Sequence, residues 1–419
     1  MVQSLAQKLI ARASGRPAVQ VGEVVTCRVD LAMFHDSSGP RRLQPMLEAL
    51  GAPIWDKSRV VLVMDHYVPE RSEESRRIVR IARDWARGQD LPHVYDSQGI
   101  CHVVVPQHGH IRPGLFCVGG DSHSPTGGAF GAYMFGIGST EMLGVLATGE
   151  IWVQVPRTIA LQWDGRLAPG VSAKDMMLAA IGRLGMNGGG WQAVEYTGEA
   201  VRALDMNERM TLANMSAELG AQVGLVPPDD TTRAWLARHG AFGVETAAWQ
   251  SDPGSWGEVH RFDACRLAPQ VAAPFSPANA HPVDALAGIP VQVAYIGACT
   301  GAKLEDLRFA ARVLRGRQVA PGVRLLVAPA SNADRDTAAA EGTLQALADA
   351  GAQMLPSACG VCAGYGGSFA AGETVISSTA RNFKGRMGPP STQVYLASPY
   401  TVAASALAGR IADPRELLP

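Results

Sequence analysis

Short apolar runs, each followed at once by polar or glycine-rich residues, alternate with stretches of helical periodicity along the first third of the chain. The runs predict buried strands at residues 60–64, 102–105 and 115–119. Between the first two, Ile78, Ile81 and Trp85 recur at helical spacing, which predicts a helix over 73–88. Strand, polar turn and helix in this order indicate an α/β sheet with its functional groups at the strand ends.

The same texture returns in the last third of the chain, after a middle region of different character. Strands are predicted at 291–296 and 323–328, and helices at 304–314 and 343–350. The middle region has a predicted strand at 159–163 and a predicted helix at 210–220. Its end, residues 252–282, is rich in Pro, Ala and Ser and is typical of a linker. We therefore expect three α/β subdomains, at 1–157, 158–283 and 284–419.

Composition narrows the class of protein. The chain has 419 residues, of which 47% are hydrophobic and 18% charged, with a net charge of -1. A neutral chain has no general electrostatic attraction for nucleic acid or an anionic membrane, and no apolar run is long enough to span a bilayer. Seven cysteines in a chain of this length favour a reducing compartment, so we expect a cytoplasmic protein. The basic N-terminus predicts a helix with Leu5, Leu9 and Ile10 on one face, although its composition is also typical of a transit peptide.

Three cysteines in glycine-rich turns form the strongest chemical signal. Cys359 and Cys362 make a C-x-x-C pair, and Cys299 stands in a turn after a predicted strand. Small neighbours let backbone N–H groups approach sulfur, which suits a metal centre. A structural zinc site usually has four protein ligands, and three thiolates fit an iron–sulfur cluster with one open iron better. From the spacing alone, a cluster, a zinc site and a redox-active or chance C-x-x-C pair all remain open.

Histidines close to carboxylates form the second signal. Asp65 adjoins His66, Asp121 lies two residues before His123, and His102 stands in the second predicted strand. A carboxylate bonded to one imidazole nitrogen fixes the tautomer and stabilises the imidazolium, as acid–base catalysis requires. A single histidine of this kind is more often structural, but three of them near strand ends predict a site.

Two weaker signals concern an arginine pair and a serine. Arg381 and Arg386 lie around a predicted turn and could bind carboxylates through paired N–H groups, although a solvated basic loop is the commoner case. The segment 120–124 resembles the nucleophile turn of an α/β hydrolase, with Ser122 as the nucleophile. Ser124 stands where that turn needs its second glycine.

Together these motifs resemble the aconitase superfamily, and within it the large subunits of isopropylmalate isomerase and of homoaconitase-type hydro-lyases. The matching segments recur in family order at 64–66, 99–102, 120–131, 210–220, 296–307, 359–364 and 381–388. The resemblance implies an α/β fold of three α/β/α subdomains around a cleft, with a [4Fe-4S] cluster held by Cys299, Cys359 and Cys362. As a Lewis acid, the open iron would ease loss of hydroxide from an isopropylmalate-like 2-hydroxy di- or tricarboxylate, to which water then returns.

The resemblance also implies a role for each matching side chain. Asp65 and His66 would protonate the leaving hydroxyl, and His102 would pair with Asp121. Water and hydroxyl would be ordered by His123 and Glu218. The substrate would be bound by Ser122, Asn214, Arg381 and Arg386.

One role in this family belongs to a residue that the chain does not match. The base that removes the carbon-bound proton is a serine on a separate swivelling domain, and too few residues follow Arg386 to form another domain. We therefore expect a fold without this fourth domain, and a small partner subunit that supplies the serine. The chain also has Gly301 and Ala380 where the family usually has asparagine, which leaves the substrate open and includes a malate derivative of specialised metabolism.

Two functions of other classes compete with this interpretation. An α/β hydrolase would need a histidine after Ser122 in the chain, and His239, His260 and His281 stand in unsuitable contexts. RNA binding, known for some relatives of aconitase, is disfavoured by the near-zero net charge.

Overall fold

The computed structural model describes residues 2–365 and 369–418, which form eighteen strands and thirteen α-helices. The strands are β1 (Val24–Arg28), β2 (Leu31–His35), β3 (Val60–Met64), β4 (His93–Asp96), β5 (Phe116–Gly119), β6 (Tyr133–Gly136), β7 (Glu150–Gln154), β8 (Thr158–Asp164), β9 (Ala193–Thr197), β10 (Val223–Leu225), β11 (Glu258–Asp263), β12 (Gln270–Ala272), β13 (Ala280–Pro282), β14 (Val293–Ile296), β15 (Arg324–Val327), β16 (Gln353–Met354), β17 (Thr374–Ser377) and β18 (Gln393–Ala397). The helices are α1 (Leu5–Ala13), α2 (Pro40–Leu50), α3 (Glu73–Gly88), α4 (Cys101–Gln107), α5 (Ser139–Thr148), α6 (Ala173–Leu184), α7 (Glu199–Ala203), α8 (Met206–Asn214), α9 (Asp230–Arg238), α10 (Leu304–Leu314), α11 (Asn332–Ala340), α12 (Thr343–Asp349) and α13 (Pro399–Ala408).

The first sheet is parallel and has five strands in the order β4-β3-β2-β5-β6. The chain runs outward from β2 through β3 to β4, and then returns to add β5 and β6 on the other side. The carboxyl ends of β2 and β5 are therefore neighbours where the strand order reverses, which is where open α/β sheets bind ligands. His35 ends β2, and Asp65 and Asp121 follow β3 and β5.

The largest sheet, built from the last third of the chain, repeats this arrangement. Its order is β13-β12-β18-β17-β14-β15-β16, and it is parallel from β18 to β16. The chain runs from β14 outward to β16, and β17 returns to pair with the opposite side of β14. The segments after β14, β16 and β17 carry Cys299, Cys359 and Arg381 respectively. Its reversal point therefore gathers the thiols and one arginine at a single edge.

The second sheet is also parallel and has the order β10-β9-β8-β11, while β1 and β7 form a separate antiparallel ribbon. Strands of the three main sheets come from residues 31–136, 158–263 and 270–397. The division at 157/158 and 283/284 remains a prediction, and residues 1, 366–368 and 419 of the predicted subdomains lie outside the described residues. No helix in the described part of the chain is long and apolar enough to cross a membrane.

Several predicted elements form with the expected bounds. Strand β3 and helices α3 and α10 begin and end where the periodicity places them. Helix α1 forms and buries Leu5, Leu9 and Ile10 as its spacing predicts. These elements have long or uniform patterns and clear polar boundaries, which is why sequence periodicity locates them.

The strand predicted at 102–105 is wrong, because these residues lie in helix α4. Consecutive valines favour a strand locally. A tertiary contact decides otherwise: the Cys101 backbone N–H donates to Asp65 Oδ2 at 2.7 Å. A carboxylate at this place satisfies a free N–H of the first helical turn and complements the helix dipole. His102 therefore projects from the first turn of a helix.

The helix predicted at 210–220 ends early, because α8 stops at Asn214 and residues 215–220 form turns. The Glu218 N–H donates to the Met215 carbonyl three residues back, and Ser216 Oγ lies 2.7 Å from the Tyr196 hydroxyl. Asn214 and Glu218 therefore do not share a helix face. The linker predicted at 252–282 is also wrong, since it contains β11, β12 and β13, and the last two pair within the largest sheet.

Candidate active site

The first and largest sheets meet at their carboxyl ends, and backbone hydrogen bonds hold them together. The Cys359 N–H donates to the Asp65 carbonyl at 2.9 Å, and the Ile100 N–H donates to the Ala330 carbonyl at 2.8 Å. A Cβ atom on Gly99 would lie 2.4 Å from Ser331 Cα, so only glycine permits this approach. The cysteine turn is thus fastened directly to the predicted acid–base pair.

The first histidine group lies at the end of β3. His66 Nδ1 is 2.7 Å from Asp65 Oδ1, and both side chains are buried. Burial opposes the charged form of His66, but the Asp65 carboxylate outweighs it and raises the pKa of His66 to about 10. The same contact lowers the pKa of Asp65 against the effect of burial. The pair is therefore an imidazolium and a carboxylate at neutral pH.

His35 also belongs to this group, although the sequence analysis did not predict it as a site residue. Its ring stacks on His66 with centroids 3.8 Å apart. Because His35 Nδ1 accepts the Ser37 and Ser38 N–H groups, its proton is on Nε2, which lies 3.5 Å from Asp121 Oδ2. His35 thereby links the end of β2 to both predicted His–carboxylate pairs. Its only sequence signal is its place at the end of a buried apolar run.

Asp121 is the centre of the second group. Its Oδ1 lies 2.7 Å from His102 Nε2 and accepts the His123 backbone N–H at 2.7 Å. Burial opposes ionisation of this carboxyl, but His102, His35 and His123 together hold its pKa well below the usual value. Asp121 therefore stays a carboxylate and orients His102.

The third group joins the second sheet to the loop after β17. Glu218 Oε1 lies 2.9 Å from His123 Nε2 and accepts from Arg381 Nε at 2.5 Å. Burial opposes ionisation, yet these two partners lower the pKa of Glu218 to about 2. Arg381 also donates to Ser122 Oγ at 3.0 Å. Asp121, Ser122 and Arg381 line a cavity of about 330 Å³.

The three predicted ligand cysteines are free thiols beside these groups. Asn214 Nδ2 lies 3.2 Å from Cys299 Sγ, and burial raises the pKa of Cys299 to about 12. A hydrogen bond from the Cys359 thiol lowers the pKa of Cys362, and the nearby Arg386 guanidinium acts in the same direction. Arg386 is thereby placed at the thiols, and Asn214 supplies the N–H that a sulfur ligand can accept.

The donor set fits a cluster better than a single zinc ion. Tetrahedral zinc with bonds of about 2.3 Å holds its sulfurs roughly 3.8 Å apart. Among the described residues, the groups of three or more potential ligands within 4.8 Å of one another are two histidine–carboxylate groups, and the cysteines are not among them. The thiols therefore span more space than one ion needs.

Several side chains of these groups carry a buried polar atom without a hydrogen-bond partner among the described residues. These atoms are Asn214 Oδ1, Glu218 Oε2 and Arg386 Nε. Since buried polar groups are normally hydrogen-bonded, these atoms fit a polar ligand that carries both donors and acceptors. A hydroxy acid beside a cluster has this chemistry.

The contacts bring the thirteen predicted side chains together in one region of the structure, and their roles stay predictions. Ser122 accepts from Arg381, and no histidine of the described chain hydrogen-bonds to it, so the hydrolase alternative gains no support. The presence of glycine at position 301, where asparagine is usual, has a steric explanation. A Cβ atom there would lie 2.3 Å from both Cβ and Oγ of Ser378. Nothing in the structure explains Ala380.

Comparison with known proteins decides the family. The model of the aconitase family (aconitate hydratase) matches residues 11–288 and 284–409. The chain belongs to the aconitase family. Membership confirms the predicted hydro-lyase class, and [4Fe-4S] clusters are characteristic of this family, as the donor set suggests.

Aconitase-family relatives match along their whole length. The chain is 43% identical to the 3-isopropylmalate dehydratase large subunit 1 of Methanopyrus kandleri over 421 residues, which cover 100% of both chains. It is 40% identical to the 3-isopropylmalate dehydratase large subunit of Moorella thermoacetica over 422 residues, again covering 100% of both. The holo-form of aconitase X from Thermococcus kodakaraensis superposes with a TM-score of 0.52 at 13% identity, over 85% of this chain and 84% of that one. This last likeness confirms the aconitase-type α/β fold alone.

Proposed function

We propose that the protein is the large subunit of a 3-isopropylmalate dehydratase-type hydro-lyase, which dehydrates and rehydrates a 2-hydroxy dicarboxylate. The observation that carries the proposal is the proximity of three free thiols to the Asp65–His66 pair and to the Glu218–Arg381 pair. Relatives of about 40% identity and full coverage carry that name, which supports the same substrate class here.

Cys299, Cys359 and Cys362 would hold the [4Fe-4S] cluster. When bound, the cluster supplies a Lewis acid that eases departure of the substrate hydroxyl. Asn214 would donate its N–H to the Cys299 sulfur and orient its free oxygen toward substrate. Outer-shell partners of this kind fix ligand orientation.

His66 is proposed as the acid that gives its proton to the departing hydroxyl oxygen. Asp65 keeps the imidazole protonated and holds its ring through Nδ1, so that Nε2–H is the proton available for transfer. The second Asp65 oxygen is fixed by the Cys101 N–H. This leaves the pair little freedom to turn away from the substrate.

Substrate carboxylates are proposed to bind Arg381 and Arg386, with Ser122 beside them. Arg381 is oriented by Glu218 and Ser122, and a guanidinium binds a carboxylate through paired N–H groups. His123 with Glu218 would order the water and hydroxyl of the reaction. His102, fixed by Asp121, would serve the same hydrogen-bonded network.

The base is proposed to come from a small partner subunit whose swivelling domain carries a serine. The relatives' names, which call them large subunits, support such a partner. Two exposed side chains, Trp152 and Trp191, are 69% and 63% accessible and border a cavity of about 910 Å³. That cavity shares Ile137 and Trp191 with the cavity of Ser122 and Arg381. We propose that this surface, the tryptophan rim, receives the small subunit, which must reach the substrate there.

The proposal extends to location and organisation. The seven free cysteines and an oxidant-sensitive cluster favour a reducing compartment such as the cytoplasm. The three main sheets support the subdomain division at 1–157, 158–283 and 284–419, although β12 and β13 pair with the largest sheet.

Anaerobic reconstitution with iron and sulfide tests the proposed function. We expect about four irons for each chain, and hydration of the unsaturated diacid only after a small subunit is added. Cys299→Ser should lose iron and activity, while Cys265→Ser, which changes an exposed free thiol, should keep both. A colourless chain with bound zinc, or full turnover without a partner, would contradict the proposal.

A further inference from the structure

Two lysines are fully buried close to the thiols, and their charges are matched differently. Lys174 and Lys303 have exposed fractions of 1% and 0%. Lys303 Nζ lies 2.7 Å from Asp306 Oδ2, so a carboxylate balances its charge. In the described part of the chain, Lys174 makes no ion pair with any carboxylate, although it needs one as much.

The Lys174 ammonium donates its three N–H groups to neutral oxygens. They bind Thr300 Oγ1 at 3.2 Å, the Ser378 carbonyl at 2.9 Å and the Thr379 carbonyl at 2.6 Å. Thr300 follows Cys299 directly, and Thr379 lies two residues before Arg381. The ammonium therefore joins the first cysteine turn to the loop that carries a substrate arginine.

The position of Lys174 is unfavourable for a cation in two ways. Its side chain is removed from water, which disfavours the charged form and lowers its pKa to about 8. It also lies in the first turn of α6, where the free N–H groups give the helix end a positive partial charge. A buried cation at such a place calls for a compensating anion.

The anionic groups that face Lys174 leave the thiols as that compensation. The ionisable groups that act most strongly on Lys174 to favour its charged form are Glu218, Cys299, Cys362 and Asp306. Glu218 is already paired with His123 and Arg381, and Asp306 is paired with Lys303. The sulfurs remain, and once they ligate iron they are thiolates. Other charged groups also act on these thiols: Lys303 on Cys299, and Arg386 and His123 on Cys362.

We infer that Lys174 is a positioning residue for the cluster, which balances the charge of the ligated Cys299 and Cys362 from the side of the second sheet. The inference rests on the proposed function, since it needs a cluster at these cysteines. It implies that the positive charge of Lys174 has no anionic partner before the cluster binds, and that the ligated thiolates balance this charge afterwards. Removing the charge of Lys174 should therefore weaken binding of the cluster and leave the stability of the chain without iron unchanged.

The test compares Lys174→Gln, Lys174→Arg and Lys303→Gln in the full chain, with and without reconstituted iron and sulfide. Glutamine keeps an N–H donor for the carbonyls and loses the charge, while arginine keeps the charge. The measurements are the melting temperature without iron, the rate of iron release to a chelator, and the reduction potential of the cluster. Neither measurement on iron needs turnover.

In Lys174→Gln we expect a melting temperature without iron close to that of the parent chain, and iron release faster by about tenfold. The reduction potential should become more negative, because the reduced cluster carries one more negative charge and the variant has no ammonium nearby to stabilise it. Lys174→Arg should restore both partly. Lys303→Gln should melt earlier without iron, since it leaves Asp306 buried and unpaired.

The outcomes separate the inference from the proposed function. If Lys174→Gln keeps the parent rate of iron release and the parent potential, the inference is overturned whatever its melting temperature. If Lys174→Gln fails to fold without iron while Lys303→Gln folds, Lys174 is a structural tie and the inference is again overturned. If the parent chain itself takes up no iron, the proposed function fails first and the inference with it.

Discussion

Glu195 on β9 shows how one buried residue can set a property of the whole chain. Its carboxylate accepts from Ser251 Oγ at 2.6 Å, and no cation of the described chain forms an ion pair with it. Burial raises the pKa of Glu195 from 4.5 to about 7. The folded chain therefore holds this proton more tightly than the unfolded chain does. The resulting stabilisation is complete below pH 4.5 and is lost as pH rises toward 7.

Glu195→Gln should remove this pH dependence. The amide cannot ionise, so at pH 8 the variant should unfold with a free energy higher than the parent's by up to about 3 kcal/mol, with no gain at pH 4.5. Denaturant unfolding across this range measures the difference. Glu258→Gln, an exposed change on β11, is the matched control. Parallel pH curves for the parent and Glu195→Gln would disprove the assignment.

Single residues also mark the limit of sequence reasoning. The Asp65–His66 pair and the cysteines could be predicted because each stands in a motif of recognisable spacing. His35 and Lys174 stand in no motif. They reach the site because β2 ends beside β5 and because α6 begins against the loop after β17. Such placement depends on pairing between strands that are distant in the sequence. A single histidine or lysine outside a motif gives no indication of that pairing.

At the scale of elements, the sequence pattern located those helices and strands whose bounds depend on residues close to them in the chain. Helix α3, with its long periodic face and its Ser72 cap, was predicted to the residue. Helix α4 was mistaken for a strand because its capping carboxylate, Asp65, comes from another element. The turn after Asn214 was mistaken for helix because Ser216 is held by Tyr196 across the sheet. Each error involves a contact between residues far apart in sequence.

The close packing of the first cysteine turn against the loop after β17 carries a prediction. Gly301→Ala would place a Cβ atom 2.3 Å from Ser378 Cβ, with backbone nearby that cannot yield cheaply. We expect a loss of roughly 1–3 kcal/mol in unfolding free energy, together with lower iron content after reconstitution.

Gly144→Ala is the control for that variant. Gly144 lies inside α5 with nothing within 4 Å of a new Cβ atom, so alanine should raise stability by about 0.5–1 kcal/mol. Chemical denaturation and iron analysis of both variants check the pair. Normal iron content and stability in Gly301→Ala would show that the cysteine turn has room to move.

At the scale of the whole molecule, the candidate site draws residues from all three main sheets, and its cavity shares Ile137 and Trp191 with the cavity of the tryptophan rim. Two large aromatic side chains, Trp152 and Trp191, remain exposed beside the site cavity. Aromatic residues are enriched where proteins associate, and contiguous apolar surface is costly to leave in water. The rim thus gives the proposed small subunit a place from which a serine can reach the substrate.

Trp152→Glu should weaken association with the small subunit by at least about tenfold, because it replaces an exposed aromatic side chain of the rim with a charge. Phe242→Glu should leave association unchanged, since Phe242 is 75% exposed but borders neither cavity. Titration calorimetry with the isolated small subunit measures both, and iron content should stay at the parent value in each. Equal affinities for the parent and Trp152→Glu would place the partner elsewhere.

The order of strands in the largest sheet has a consequence for when the protein matures. Strands β17 and β18 are synthesised after all the other strands of that sheet, yet they lie in its interior, between β12 and β14. The first sheet can fold while synthesis continues, as N-terminal units generally do. The cysteine edge cannot close until residues 374–397 have left the ribosome. We therefore expect the three cysteines to bind iron only after β17 and β18 have paired within this sheet.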